Sequence, residues 1–173
     1  MIEISKWVGI SGSWRATSPE IEQKVRDAVR EIVLSGNGIV TGGALNVDYQ
    51  ATDEVLKLHR PNQIKVFLPT PFEIYAAHYR KRAQEGVITT EQAEILINQL
   101  NTLKQKNPAG LIENPNNTII DETTYYERNL AVINASDELL AFQINNSAGT
   151  QDTIDKAKAK GIPVKVFSYM IPK

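Results

Sequence analysis

A chain of 173 residues, 42% apolar and 23% charged, suits one domain with a sizeable core and is not the composition of a disordered segment. It contains no cysteine, which excludes disulfides and thiolate metal sites and fits a reducing compartment, and its two histidines, His59 and His78, lack metal-ligand spacing. A net charge of −1 carries no overall basic surplus, so any nucleic-acid binding needs a local patch or one assembled by oligomerisation.

The first apolar segment, Lys6 to Ile10, reads as a strand and runs into Ser11-Gly12-Ser13-Trp14-Arg15. Thr17-Ser18-Pro19-Glu20 reads as a helix start, either as a Thr17/Glu20 capping box or with Ser18 as the cap and Pro19 in the first turn. Ile21, Val25, Val29, Ile32 and Val33 then give one apolar face, closed by Gly36 and Gly38. Ile39 to Thr41 is a short strand leading into Gly42-Gly43-Ala44, and a second helix runs from about Val47 to Leu58. Ile64 to Leu68 is the third strand, stopped by Pro69 and Pro71. This alternation predicts a parallel sheet with right-handed crossovers.

Residues 72–106 are polar and helical in pattern, and are expected to form two helices, the later one an excursion from the sheet. Leu96, Leu100 and Leu103 form an apolar stripe there, read either as packing against the same domain or as a subunit interface. Two turn-rich loops follow, at Asn107-Pro108 and Asn114 to Asn117. The alternation then resumes with a short strand at Thr118 to Ile120, a helix at Glu122 to Ala135, a strand at Glu138 to Gln143, a helix at Gly149 to Lys160 and a last strand at Val164 to Phe167. The expected fold class is α/β: a Rossmann-like three-layer α/β/α domain spanning residues 1–173, with a mostly parallel sheet of five or six strands and a helical excursion in the middle. With no long apolar run and no basic-then-apolar leader, a cytoplasmic location is expected, with no membrane partner.

In an open parallel sheet ligands bind beyond the carboxyl ends of the strands, near a switch in strand order. Four segments fall there by position: Gly12-Ser13-Trp14-Arg15, Gly42-Gly43-Ala44, the helix carrying Arg128-Asn129, and Ser147-Ala148-Gly149-Thr150. Strand-to-helix turns offer unpaired N–H groups and the positive end of a helix dipole, glycine allows close approach of an oxyanion, and arginine grips phosphate with two prongs. The candidate phosphate-binding residues are therefore Gly12, Ser13, Arg15, Gly42, Gly43, Ala44, Arg128, Asn129, Ser147, Gly149 and Thr150. Each also has a plainer reading: glycine for turn geometry, Asp48 and Asp137 for caps or turns, Trp14 as a rim-packed ring, Tyr125 or Tyr126 as core, and both histidines as surface residues. Neither GxGxxG nor GxxxxGK[ST] occurs, which disfavours a standard dinucleotide fold and a nucleoside-triphosphatase loop. No metal or cofactor is expected.

The run Ile39-Val40-Thr41-Gly42-Gly43-Ala44-Leu45-Asn46-Val47-Asp48 resembles an element of the DNA-processing protein A (DprA) family, as does Gly12-Ser13-Trp14-Arg15 after the first strand. Ile74-Tyr75 is similar to that family's Ile-Tyr-Pro segment, with Ala76 in place of the proline, and Gly110 to Glu113, Arg128-Asn129 with Ser136-Asp137, Ser147 to Thr150 and Gly161 to Val164 follow in family order. The resemblance covers nearly the whole chain except about residues 84–108. It implies single-stranded DNA binding. The wider Rossmann-like group also holds LOG-type phosphoribohydrolases, molybdenum-cofactor-carrier-like proteins and nucleotide sensors. The LOG resemblance implies N-glycoside cleavage of a nucleoside monophosphate through an arginine and a glutamate set by a PGGxGTxxE run. Here that run is Ser147-Ala148-Gly149-Thr150-Gln151-Asp152-Thr153, with Asp152 near the carboxylate position and Glu127-Arg128 echoing the arginine helix. Asp152 and Glu127 are accordingly the candidate catalytic residues.

Three readings stand open: a DprA-like binder of single-stranded DNA or nucleotides, a small nucleotide N-glycosidase or transferase, and a non-catalytic nucleotide sensor or carrier. The altered glycine run favours a binder over an enzyme. A homodimer is an expectation from resemblance alone.

Overall fold

The computed structural model describes residues 3–172. Six strands form one all-parallel sheet: β1 (Trp7–Gly12), β2 (Gly38–Thr41), β3 (Ile64–Phe67), β4 (Leu111–Ile112), β5 (Glu138–Ile144) and β6 (Val164–Tyr169), in the spatial order β4-β3-β2-β1-β5-β6. The helices are α1 (Pro19–Leu34), α2 (Val47–Lys57), α3 (Phe72–Gln84), α4 (Thr90–Lys106), α5 (Glu122–Asn134) and α6 (Ala148–Lys160). Rossmann-like three-layer α/β/α architecture is the result.

Local chemistry sets these elements. Ser18 caps α1 by accepting from the Ile21 amide, Pro19 occupies the first turn, and Ile21, Val25, Val29 and Val33 bury one stripe against the sheet. In β5 the side chains alternate. Leu139 and Ala141 pack with Ile133, Ile154 and Ala157 of α5 and α6, whereas Leu140, Phe142 and Ile144 join the larger core beneath α1, α2 and α4. Both faces of the sheet are thus covered, as a parallel sheet requires. Asp137 fastens the start of β1 to that of β5: its carboxylate accepts from the Trp7 amide at 2.8 Å and its own amide donates to the Trp7 carbonyl at 2.7 Å.

The helical excursion in the middle of the chain is α3 and α4, and two finer expectations need adjustment, the first at α4. Its Ala93, Leu96, Ile97, Leu100 and Leu103 are buried in the main core, so α3 and α4 are the crossover between β3 and β4. The leucine stripe is consumed by its own domain and is not a subunit interface. The polar face of α4 hides this role from composition; the i, i+3, i+4 spacing of its apolar residues carries it. Residues 118–120 form no strand. Ile119 is 66% exposed, with nothing to cover it, and the edge strand is Leu111–Ile112, entered through a 3-10 turn at Pro108–Gly110.

Candidate functional site

The connections from β1 and from β5 run to opposite sides of the sheet, so the switch point lies between these two neighbouring strands. Gly12 pairs in register with Phe142, two residues before the end of β5. The turn after β2 emerges one strand further along. With strands about 4.8 Å apart, the three glycine-bearing turns leave the same edge within about 10 Å of one another.

The turn after β1 is pressed against α2: a Cβ on Gly12 would lie 2.4 Å from a Val47 methyl. Ser13 is buried, and its hydroxyl accepts from the Arg15 amide at 3.1 Å. Asn46, at φ 60°, donates its side-chain amide to the Trp14 carbonyl and ties this turn to the next one. Trp14 and Arg15 are exposed at the rim, with the guanidinium carbon 4.9 Å from the indole centroid, a cation–π arrangement.

The turn after β2 is internally satisfied. Asp48, 6% exposed at the start of α2, accepts from the amides of Gly42 and Ala44, both at 3.2 Å. Burial pushes its carboxyl pKa up, against the pull of the Arg128 charge and the two amides. Arg128, partly buried on α5, donates through Nη1 to the Gly42 carbonyl and through Nε to Asn129 Oδ1 at 3.2 Å, and its guanidinium carbon lies 5.2 Å from the Tyr125 ring centroid. A Cβ on Gly42 would come within 2.7 Å of Arg128 Nε, so glycine here is a condition for the arginine's position. Gly43, at φ 69°, would press a Cβ against Leu68 at 2.8 Å.

Around this turn lies a group that sequence reasoning does not assemble. Tyr75 of α3 donates its hydroxyl to the Gly43 carbonyl at 2.8 Å, and its oxygen is 3.3 Å from that of Tyr79. Tyr125 reaches His78 Nε2 at 3.5 Å. Burial raises the Tyr75 and Tyr79 pKa values, keeping both as neutral hydroxyls, and lowers that of His78, with Arg82 adding to the effect. The i, i+4 pair Tyr75/Tyr79 is the one trace of this network along the chain.

The turn after β5 is different. Asn145 and Asn146 take positive φ, and Ser147 at the head of α6 makes no side-chain cap. Gly149 is exposed, and a Cβ there would meet nothing within 4 Å. Thr150 is 1% exposed, and its hydroxyl has no hydrogen-bond partner. Such a buried, unpaired group is costly.

The candidate catalytic residues occupy separate places. Asp152 accepts from Lys156 Nζ at 2.6 and 2.7 Å and from Asn129 Nδ2 at 3.0 Å, linking α5 to α6. Glu127 is exposed and accepts from Asn117 Nδ2 at 3.1 Å. It borders a cavity of about 200 Å³ beyond β3 and β4, lined also by Leu68, Ile112, Pro115 and Arg128. Among the described residues no three His, Asp or Glu side chains are grouped to hold a metal ion, and no helix is long and apolar enough to cross a membrane.

Sheet order, crossovers and the glycine edge define a Rossmann-like α/β protein of the kind seen in DNA-processing protein A. The solved structures with this fold include the Helicobacter pylori DNA-processing protein A, described for its single-stranded DNA binding mode (20% identity, TM-score 0.66, covering 94% of this chain and 65% of that one). DprA from Streptococcus pneumoniae has it as well (17%, 0.61, 97% and 50%), as has the structural-genomics target TM1055 (17%, 0.55, 92% and 72%). The chain therefore spans 65% and 50% of the two DNA-processing proteins. No protein-family model matches the sequence, and no curated protein matches it.

Proposed function

We propose that the protein binds single-stranded DNA or its nucleotides along the carboxyl edge of the sheet and does so without turnover. The observation that carries this reading is the open turn after β5. Uncapped α6 and the exposed Gly149 form a phosphate seat beside the switch point, with the unpaired Thr150 hydroxyl buried beneath it. On this reading Gly12 and Ser13 shape the neighbouring wall, and Arg15 with Trp14 supplies a charged, stackable rim for the next nucleotide. Gly42, Gly43 and Ala44 act differently from a direct cradle: the Gly42 and Ala44 amides serve Asp48, and the turn seats Arg128 through its Nη1. Asn129 holds both Arg128 and Asp152.

The engagement of Asp152 by Lys156 and Asn129 favours binding over N-glycoside hydrolysis, because a general base needs a free lone pair aimed at the reacting water. The likeness to the Helicobacter protein, which binds single-stranded DNA, supports single-stranded DNA as the partner. The test is fluorescence anisotropy with a labelled oligothymidylate at two salt concentrations, beside an assay for free base released from nucleoside monophosphates. Binding that weakens with salt, is reduced by Arg15→Ala and is accompanied by no release of base is the expected result. Release of base by the wild type, lost in Asp152→Asn, overturns the binder reading.

A further inference from the structure

We infer that the cavity beyond β3 and β4 is a base-reading subsite selective for guanine, with Glu127 as the reading group. This rests on the nucleotide-binding reading of the same edge. At about 200 Å³ the cavity falls below the ~300 Å³ at which whole-ligand pockets begin, so it takes one ring system of a larger ligand. Leu68, Ile112 and Pro115 give it an apolar side, and Arg128, which also closes the turn after β2, lines it together with Glu127. A ring placed there leaves its sugar and phosphate on the edge already described. From the β1/β5 switch point to the β3/β4 gap is three strand spacings, about 14 Å, so the two places suit nucleotides about two steps apart on one chain.

The polar groups of the cavity decide which ring. Both oxygens of Glu113 are used, one by the Phe72 amide at the head of α3 and the other by Lys104. Asn117, which also donates to the Pro69 carbonyl, takes one lone pair of Glu127 Oε2 and so steadies the carboxylate, leaving Oε1 and the second lone pair of Oε2. Arg128 spends Nη1 and Nε on protein acceptors and keeps Nη2. The free capacity is thus one fixed carboxylate beside one cationic donor. An ionised carboxylate only accepts, and two adjacent oxygens ask for two adjacent donors. Guanine alone among the bases offers this, with N1–H next to the N2 amine, and it carries acceptors at O6 and N7 for an arginine. Adenine and cytosine set a ring acceptor beside their amine, and thymine flanks its one N–H with two carbonyls, so each would turn a lone pair on Glu127. A negative charge on a DNA-binding edge weakens phosphate binding everywhere. Reading a base edge gives it a use that offsets that cost.

The experiment compares three labelled 12-mers by anisotropy: all thymidine, thymidine with guanines at alternate positions, and the same with inosine, which lacks the N2 amine. Free GMP and TMP serve as competitors. The expected result is a guanine preference of roughly tenfold, the scale of one good bidentate base contact, largely lost with inosine and reduced to near parity in Glu127→Gln. GMP competing as well as the guanine 12-mer assigns the pocket to a free nucleotide. Competition only at far higher concentration assigns it to the DNA chain. Equal affinity for all three 12-mers, or a guanine preference that survives Glu127→Gln, overturns the inference while leaving the DNA reading standing. Absence of binding to any probe overturns both.

Discussion

The turns after β2 and β5 look alike in sequence, each a short glycine-bearing run between a strand and a helix, yet they end in opposite states. After β2 the anion is supplied by the protein: Asp48 takes the Gly42 and Ala44 amides, and Arg128 and Tyr75 take the Gly42 and Gly43 carbonyls. After β5 the N-cap residue Ser147 makes no side-chain cap, the Thr150 hydroxyl is unpaired among the described residues, and a side chain on Gly149 would point into open space. Glycine in the first turn answers a packing demand. In the second no packing demand exists, and the proposed phosphate seat gives the open space a use. The lesson is that a glycine turn becomes a ligand seat only when no side chain of the same protein has already occupied it.

The sharpest break of this comparison is a pair of alanine substitutions. Gly12→Ala drives a Cβ to 2.4 Å from a Val47 methyl and 2.6 Å from its Cβ, where neither β1 nor α2 can yield cheaply, and is expected to cost about 3 kcal/mol by overpacking. Gly149→Ala meets nothing and is expected to change stability by no more than about 0.5 kcal/mol. Urea midpoints measure both. Comparable losses at the two positions would remove the distinction between packed and open turns.

A smaller effect separates the role of the Asp48 charge from that of its shape. Asp48→Ala orphans two buried amides and is expected to cost about 2 kcal/mol. It also frees those amides, so added phosphate should raise the melting temperature of the variant more than that of the wild type. Asp48→Asn keeps an oxygen for both amides and is expected to stay within about 1 kcal/mol of wild type. Because burial raises the Asp48 pKa, the folded protein holds a proton that the unfolded chain has released over the range above the ordinary aspartic value. The associated stability is full below ~3.9 and is lost as pH rises through the raised value. Asp48→Asn should therefore gain on the wild type between acidic and neutral pH. A constant difference across that range would place the pKa of Asp48 at its ordinary value.

Much of this architecture is legible along the chain because its signals are local. Ser18-Pro19 starts α1, and the spacing of Ile21, Val25, Val29 and Val33 gives its buried face. Strand β4 is not legible, since two residues cannot show a period, and Leu111–Ile112 pairs only because β3 lies beside it. The same distinction runs through the site. The glycine turns and Arg128 stand out by residue type. The local turn role of Asp48 is the plainer reading that the sequence offered, whereas that Tyr75 and Arg128 close this turn and that Asn129 holds Asp152 are facts of tertiary placement, joining segments 23 to 86 residues apart. Lys156, four residues after Asp152 on one helix, is the exception that spacing alone could have supplied.

The finest test lies at Thr150, where stability and binding should move in opposite directions. The hydroxyl is buried without a partner, so the ligand-free fold carries its desolvation cost uncompensated. Thr150→Val keeps the branched shape that packs at the head of α6 and removes the polar atom. The variant is expected to be more stable than wild type by about 1 kcal/mol, near the lower end of the range for an unsatisfied buried group. If the hydroxyl is kept to meet a phosphate oxygen, the same change should weaken oligonucleotide or nucleotide binding about fivefold, the worth of one ordinary hydrogen bond. Urea denaturation and anisotropy titration on the same sample read the two signs together. Greater stability with unchanged affinity would leave the hydroxyl without a role at the edge and move the phosphate seat away from α6. Lower stability would mean that the hydroxyl already has a partner in solution, such as a bound water, and that the turn after β5 is as internally satisfied as the turn after β2.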